Sequence, residues 1–523
     1  MSVFVHVGQC GNQLGDAFWR FAADTQPPDA GSNAVPKKGD RRQRVTPALY
    51  GVQLFHRSSR RARCILVDTE PKVIRAVLRP KQLTASQLWR FQPAHSFFEQ
   101  SGRGNNWAMG YNFQTHQRNV SRAPGCAAIA LASSDLASLA GDKMTAKKLL
   151  ISKASMSDDT DKRELLELTM DALRQEIEAL DVYRGSVVMH SLGGGTGAGL
   201  GCRLLETIRD VYPSSYLMAV SVAPSVSTSD TPLQNYNALF TLQHLQEHAD
   251  CVVYKENDEL IKSVQYWKTQ QSSAGASPRE ETESKRVTLT EMNALAAADV
   301  AGLVLPTVIQ RRALGTTESL VAQPFNLAKL VHECCPLPTV KFLDTRTGIS
   351  RDPRFQPQKM LASHVGDPLF HAVPRNRSSS DDGEALLPKL ARMTAQSFGR
   401  LPSATNAVAA SALLRSSGTS FDTAQDELAK IIPRSLIGGR VPVTESCYQP
   451  FQLYGGEASV SITLNQGHVC RSIVHFLNRG RLQYEAQAYV HWYKQHGLEN
   501  SDFDAAFEAG RNIVQEYNSL LQL

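Results

Sequence analysis

Residues 186–211 read SVVMHSLGGGTGAGLGCRLLETIRDV: an apolar run, a glycine cluster, then a helical pattern. Ser186–His190 fits a buried strand, and Leu200–Val211 fits an amphipathic helix. Five glycines lie between Gly193 and Gly199. Glycine lets a backbone approach a ligand closely and adopt positive φ. The helix that follows turns its free amides and positive dipole end toward the loop. Ser191, Gly193, Gly194, Gly195, Thr196 and Gly197 therefore read as a phosphate cradle, with the Thr196 hydroxyl as an extra donor. Glycine clusters also make plain turns, but the strand before and the helix after favour phosphate.

Two common nucleotide fingerprints do not explain this loop. A Walker A loop ends in GKS or GKT, and no lysine stands here. A dinucleotide fingerprint belongs in the first strand–helix unit, with an acid about 20 residues later. Here the cluster comes late in the chain, and the spacing fits poorly.

Working outward, Ser2–Val7 reads as a first strand and Asn12–Ala23 as a helix with Leu14, Phe18 and Phe21 on one face. Cys64–Val67, Tyr216–Val222 and Cys251–Tyr254 read as further strands, and a helix starts at Val73. Strands alternating with helices predict an α/β fold with a parallel sheet covered on both faces. Residues 24–63 read as a long loop. Phe113–Lys162, Gln265–Arg286 and Arg375–Gly383 read as insertions, the last two too poor in apolar residues to order.

Composition narrows the class. The chain has 523 residues, enough for two or three domains, and 42% of them are hydrophobic. No window of about 18 apolar residues predicts a membrane span. The N-terminus lacks the basic region of a signal peptide. Nine scattered cysteines without paired CxxC motifs predict reduced thiols in an intracellular protein and no zinc site. Lys37–Arg63 holds nine Lys/Arg against one acid, Asp40, and supplies most of the positive charge. Such a run is usually a solvated loop. It could also meet an acidic partner, but it lacks interleaved aromatics for stacking bases, so nucleic acid is not expected.

Three more loops carry chemistry. Gly8-Gln9-Cys10-Gly11-Asn12-Gln13 follows the first strand as a second glycine turn. Asp68-Thr69-Glu70 follows another strand, and its two carboxylates could hold Mg²⁺ through waters. Isolated carboxylates in such places are more often helix caps. Gly102-Arg103-Gly104-Asn105-Asn106-Trp107 is the third loop.

Together these segments resemble one family. GQCGNQ, VDTEP, GRGNNWAMGY, GGGTGAG, SDTPLQNYN and ENDEL occur in the order of the nucleotide loops of tubulins, and Ala488–Tyr493 is similar to the tubulin AF-x-HWY helix end. The glycine motif is shared with bacterial FtsZ, but GNNWA and HWY favour tubulin. Within the family the chain is most similar to delta-tubulin, through VDTEPKVI, the GNNWA loop, LQNYN and AYVHWYKQHGLENSDF. Beta-tubulin is the runner-up, because Cys10 and its loop look beta-like.

The resemblance implies a tubulin/FtsZ-like GTPase domain over 1–288, with insertions near 24–63, 113–162 and 265–286. It implies a core helix over 289–308, an α+β intermediate domain over 309–462, and a C-terminal helical hairpin over 463–523 without an acidic tail. It implies GTP/GDP and Mg²⁺ as cofactors. Gln9, Cys10 and the Gly193–Gly197 loop would lie on the phosphates and Gln13 near the base. Asp68 and Glu70 would lie near the magnesium, Gly104 and Asn105 near the γ-phosphate, and Asp230 by the ribose. Asn257 and Asn293 would read guanine, as amides offer a donor and an acceptor to a purine edge.

Some positions depart from alpha- and beta-tubulin. Gln234 replaces a ribose-binding glutamate, which weakens that hydrogen bond. Leu289 replaces the aromatic that stacks on guanine, at a cost of about 1 kcal/mol. Arg103 is expected to add positive charge at the γ-phosphate and offset these losses. Lys329 stands at the intersubunit position where alpha-tubulin presents a water-positioning glutamate, and a protonated lysine is a poor base. Glu333, one turn on, would compensate only if the helix shifts.

The resemblance therefore implies a GTP-binding protein of centriole or basal-body triplet microtubules, in the cytoplasm and at the cilium or flagellum base, with other tubulins and centriolar proteins as partners and neither membrane nor nucleic acid. Hydrolysis would be weak or dependent on a partner subunit. A beta-like lattice GTPase is the alternative, and a dinucleotide-dependent enzyme is a more distant one.

Overall fold

The computed structural model describes residues 1–24, 54–56, 61–78, 91–112, 121–122, 164–227, 231–271, 287–312, 318–349, 382–398, 407–416, 421–432, 441–446 and 458–521. The basic run and the three insertions lie largely outside these residues.

The first half builds β1 (Ser2–Val7), α1 (Gly8–Asp24), β2 (Cys64–Asp68), α2 (Pro71–Leu78), β3 (Ser96–Phe98), α3 (Trp107–Tyr111), β4 (Ser121–Arg122), α4 (Leu165–Glu178) and β5 (Gly185–Ser191). It continues with α5 (Gly201–Val211), β6 (Tyr216–Ala223), α6 (Gln234–His248), β7 (Cys251–Glu256) and α7 (Asn257–Gln271). Strands β3-β2-β1-β5-β6-β7 pair in that order, all parallel. The short β4, inside the expected 113–162 insertion, adds an antiparallel edge to β3. The expected parallel sheet is therefore present.

The sheet separates two cores because side chains alternate along each strand. Val3, Val5 and Val7 of β1 face a core with α4, α5 and α6, while Phe4 faces a second core with α1 and α2. Both faces are covered, which is why these strands read as continuous apolar runs. Helix α1 begins at Gly8 rather than at the expected Asn12, so the Gly8–Gln13 segment is a helical first turn and not a free loop. The buried Asn12 amide secures that turn by donating to the carbonyls of Gly8 (2.8 Å) and Val67 (2.9 Å).

The second half builds α8 (Leu289–Val304), β8 (Thr307–Arg312), β9 (Glu318–Gln323), α9 (Leu327–Cys334), β10 (Phe342–Ile349), α10 (Asp382–Gln396), β11 (Ala409–Ser416), α11 (Asp422–Ile431), β12 (Val443–Ser446) and β13 (Ala458–Asn465). It ends in α12 (Val469–Glu485), α13 (Val490–Lys494) and α14 (Asn500–Leu521). β10 extends the sheet parallel to β7, and β13 and β11 continue it antiparallel. Phe476 of α12 and Phe503 and Phe507 of α14 join the α5–α6 core.

Helix α8 stops at Val304, short of the expected 308, because Pro306 cannot continue a helix. Its N-terminus carries a capping box. The Thr288 hydroxyl accepts from the Glu291 N–H (3.3 Å), and the Glu291 carboxylate accepts from the Thr288 N–H (2.8 Å). At its other end the buried Arg415 donates to the carbonyls of Gly302 (2.6 Å) and Leu305 (2.8 Å). A cation there also suits the negative end of the helix dipole.

Midway along α8, buried Asp299 pairs with Lys255 of β7 at 2.7 Å and accepts from the Thr347 N–H of β10 at 2.8 Å. Removing one member of a buried pair leaves a stranded charge and costs about 3–5 kcal/mol. Lys255→Met is expected to lower stability by about 3 kcal/mol, and adding Asp299→Leu should recover part of it. Urea unfolding of the two variants measures both effects. A double variant no more stable than Lys255→Met would contradict the assignment.

Candidate functional site

Parallel β1 and β5 are neighbours, yet their chain connections leave in opposite directions along the sheet. Ligands of open α/β sheets bind outside the carboxyl ends of strands at such a switch point. Both glycine motifs sit there. Gly8 has φ 73°, and a Cβ on it would lie 2.8 Å from the Gly197 nitrogen. Thr196–Leu200 forms a π-helical turn that runs directly into α5. A Cβ on Gly195 would lie 2.7 Å from the Arg103 carbonyl oxygen and 3.0 Å from the Asn106 nitrogen.

The loop after β2 joins through Thr69, whose hydroxyl meets that of Thr196 at 2.5 Å. A Cβ on Gly102 would collide with the Glu70 carboxylate. Four loops, following β1, β2, β3 and β5, thus converge. Gly104 (φ 55°) and Asn105 (φ 52°) form a left-handed turn beside them, and Gly104 faces open space apart from Met109. Gly194 is similarly uncrowded, with only the Ser191 hydroxyl near.

The carboxylates fit a hard cation. Asp68 is buried at the end of β2, and its pKa is pushed up to about 7 by burial, against hydrogen bonds from the Thr69 and Glu70 N–H groups. A nearby cation reverses that balance by favouring the charged form. Glu70 is exposed next to it. An oxygen-only set at the rim of a phosphate loop suits Mg²⁺, which keeps several waters and shares the rest with phosphates.

The other expected contacts lie on α1, α6, α7 and α8. Gln9 is exposed and Cys10 and Gln13 are half-buried on α1, and burial pushes the Cys10 thiol up to about 12, so it stays protonated. Gln234 begins α6, is buried, and donates to the Ser225 carbonyl at 3.3 Å; its Cβ lies next to Gly193. Half-buried Asn257 begins α7. Asn293 follows Leu289 by one turn of α8, and the Leu289 side chain is 62% exposed, which leaves it free for an apolar contact. Asp230 lies outside the described residues.

Lys329 does not join the cluster. Its helix α9 begins at Leu327, whose side chain sits 3.2 Å from the Cβ position of Gly185, at the opposite end of β5. Its ammonium donates to the Thr444 hydroxyl (2.9 Å) and lies 3.6 Å from Glu333.

Arg103 corrects an expectation. Its guanidinium is buried against Glu99 at 2.7 Å and donates to the Ser101 carbonyl at 3.1 Å, instead of presenting charge to the γ-phosphate position. The acid four residues earlier claims it. Sequence reasoning also passed over His190, which precedes the glycine loop. Buried His190 contacts the Gly197 carbonyl through Nδ1 (3.1 Å) and the Ser221 hydroxyl through Nε2 (2.8 Å). A carbonyl only accepts, so Nδ1 carries the proton and Nε2 accepts from Ser221.

A parallel sheet with glycine loops meeting at its switch point, a cation-suited carboxylate pair beside them, and purine-suited asparagines on adjoining helices define a nucleotide-binding α/β protein. The description "Tubulin/FtsZ family, GTPase domain" matches residues 2–118 and 112–265. The chain belongs to this family. It is 25% identical to the Tubulin beta-1 chain of Chondrus crispus over 98% of this chain and 92% of that protein. It is 31% identical to the nucleomorph Tubulin beta chain of Guillardia theta over 49% of this chain and 46% of that protein. It is 30% identical to the Tubulin beta chain of Encephalitozoon intestinalis over 49% of this chain and 46% of that protein. Among the described residues no helix is long and apolar enough to cross a membrane.

Burial lowers the His190 pKa to about 4, against the hydrogen bond to Gly197 that raises it. The unfolded chain, with an ordinary value near 6.5, binds the proton first. His190 therefore costs nothing above about pH 6.5 and destabilises the fold progressively as pH falls toward 4. His190→Asn keeps a donor for Gly197 but loses the Ser221 link, so it should be about 1 kcal/mol less stable at pH 7. The deficit should shrink or reverse near pH 4.5. Thermal unfolding of both proteins at the two pH values checks this, and a constant deficit would exclude it.

Proposed function

We propose that this chain binds GTP with Mg²⁺ at the switch point and works as a cytoskeletal subunit that pairs with other tubulins. The observation that carries the reading is the meeting of four strand-end loops through Gly8, Gly102, Gly195 and Gly197. Glycine contacts of this closeness leave backbone amides, not side chains, to face an anion. Gln9, Cys10, Ser191, Gly193, Gly194 and Thr196 would then serve the phosphates, with Gly104 and Asn105 at the terminal one. Asp68 and Glu70 would hold the cation. Gln13, Asn257, Leu289 and Asn293 would receive the base, and Gln234 and Asp230 the ribose. Asp68 and Glu70 would hold the divalent metal, which would supply positive charge beside the phosphates, while this chain's own part is to hold and orient the nucleotide.

Within the family, the delta-like reading places the protein at centriole or basal-body triplets and in cilium or flagellum assembly. VDTEPKVI, the GNNWA loop, LQNYN and the three long insertions support it. The beta names of the relatives and the beta-like Cys10 loop support the alternative of a beta-like lattice subunit. A tagged protein confined to basal-body puncta supports the first reading, and labelling along all microtubules supports the second.

Purified protein should release a guanine nucleotide on denaturation, and mass spectrometry identifies it. An adenine nucleotide or a dinucleotide would overturn the proposal. Asp68→Ala should weaken GTP binding in Mg²⁺ about tenfold, roughly 1.4 kcal/mol, and change it little in EDTA. In mixed assemblies, Lys329→Ala should leave hydrolysis by the adjoining subunit unchanged, because a protonated ammonium does not activate water. A GTPase assay reads this, and a loss on Lys329→Ala would count against it.

A further inference from the structure

Asn237 lies on α6, three residues after Gln234, and is fully buried. Its amide uses every bonding position. Nδ2 donates to the carbonyls of Asn105 (2.7 Å) and Gly193 (2.8 Å). Oδ1 accepts from the Trp107 N–H (2.9 Å) and the Tyr493 hydroxyl (2.6 Å). Two donors and two lone pairs are all an amide has. The flipped orientation would set Oδ1 against two carbonyl oxygens, so the network fixes which way Asn237 points.

The four partners come from three separated pieces of chain. Asn105 and Trp107 flank the start of α3, Gly193 belongs to the glycine loop, and Tyr493 belongs to α13. Two more asparagines repeat the link to the C-terminal segment. Asn106 donates to the Trp492 carbonyl (3.3 Å), and Asn112 donates to the His496 carbonyl (2.7 Å). Both ends of α3 are thus tied to residues 492–496. The Trp492 side chain remains 43% exposed on the outer side of this junction.

We propose that Asn237 is a positioning residue that sets the spacing of the Gly193 and Asn105 loops and transmits occupancy of the terminal-phosphate position to residues 489–496. The inference rests on the GTP-binding reading above. Asn105 is a non-glycine residue at positive φ, held there by its neighbours. When its loop moves to meet a phosphate, the Asn237 bonds either break or carry Trp107 and Tyr493 along. Breaking them strands buried polar groups, so the movement is shared. The consequence is a C-terminal surface, marked by Trp492, whose order depends on whether a third phosphate is bound.

Hydrogen exchange of peptides covering 489–498, read in Mg²⁺ with GTP or GDP, tests this together with both affinities. In the wild-type chain exchange should be several-fold slower with GTP than with GDP. Tyr493→Phe keeps both Asn237 donors, so GTP affinity should stay within about threefold while the nucleotide dependence of exchange falls by about threefold or more, the Asn106 and Asn112 links carrying the remainder. Asn237→Ala should cut the preference for GTP over GDP about tenfold, which a general loss of stability would not do. If Asn237→Ala fails to fold, Tyr493→Phe still decides the matter. Equal exchange with both nucleotides in the wild type, or a dependence in Tyr493→Phe as large as the wild type's, overturns the coupling. A wild-type chain that takes up neither nucleotide overturns the GTP reading itself, and this inference with it.

Discussion

The contact between Gly8 and Gly197 sets the geometry of the whole nucleotide end. Adjacent strands in a sheet lie about 4.8 Å apart, so chains leaving β1 and β5 side by side have no room for side chains between them. A Cβ on Gly8 would reach to 2.8 Å from the Gly197 nitrogen, and the positive φ of Gly8 excludes most other residues in any case. With both positions glycine, α1 starts at once and α5 follows one π-helical turn later. Two helix N-termini then converge on one point. Everything further out, from Thr69 to Asn237, is arranged around that convergence.

Loops cannot be held by apolar packing alone, because their turns leave backbone carbonyls and amides that need partners. Here buried polar side chains supply them: Asn12 for the first turn, His190 for Gly197, and Asn237 for two loops at once. A second buried polar system lies where the parallel sheet turns antiparallel. Lys255, Asp299, Asp344 and Arg346 join β7, α8 and β10 there. Burial alone would raise the Asp344 pKa, but the Arg346 and Lys255 charges hold it down to about 2. Such groups cost desolvation energy and return it only in one geometry. That is a way to fix the register of an alanine-rich helix whose small side chains specify little.

The parts of this architecture that were legible in the sequence are the local ones. A strand, a glycine cluster and an amphipathic run declare themselves within about 25 residues, and the parallel sheet follows from their repetition. Non-local partners were not legible. Asn237 and Asn12 look like turn or cap residues, because asparagine usually is one. Nothing in residues 186–211 says that His190 will face Ser221 from the next strand. Arg103 was misread because a loop arginine beside glycines suggests an anion, although Glu99 stood four residues away as a nearer claimant. The first turn of α1 was misread for a related reason: two glycines in six residues suggest a loop, yet Asn12 back-bonds to Gly8 and keeps the segment helical.

The position of α9 gives the molecule a polarity. Gly185 opens β5 against Leu327, whereas Ser191 closes β5 at the glycine loop, six residues on, or roughly 20 Å at about 3.3 Å per residue. In the proposed pairing with other tubulins, a cradle at one end and α9 at the other would suit heterologous contacts, which make rings when they close and filaments when they do not. Under the proposed pairing with other tubulins, turning Lys329 toward an anion on a neighbouring subunit would cost little. The ammonium is half-exposed, and its present partners are Glu333 at 3.6 Å and Thr444 at 2.9 Å. A surface pair of this kind is worth about 0–1 kcal/mol. Exchanging it for phosphate oxygens needs only a side-chain rotation. For Glu333 to take over instead, it would have to give up both Lys329 and its hydrogen bond from Ser411 (3.2 Å), and then approach an anion with a like charge.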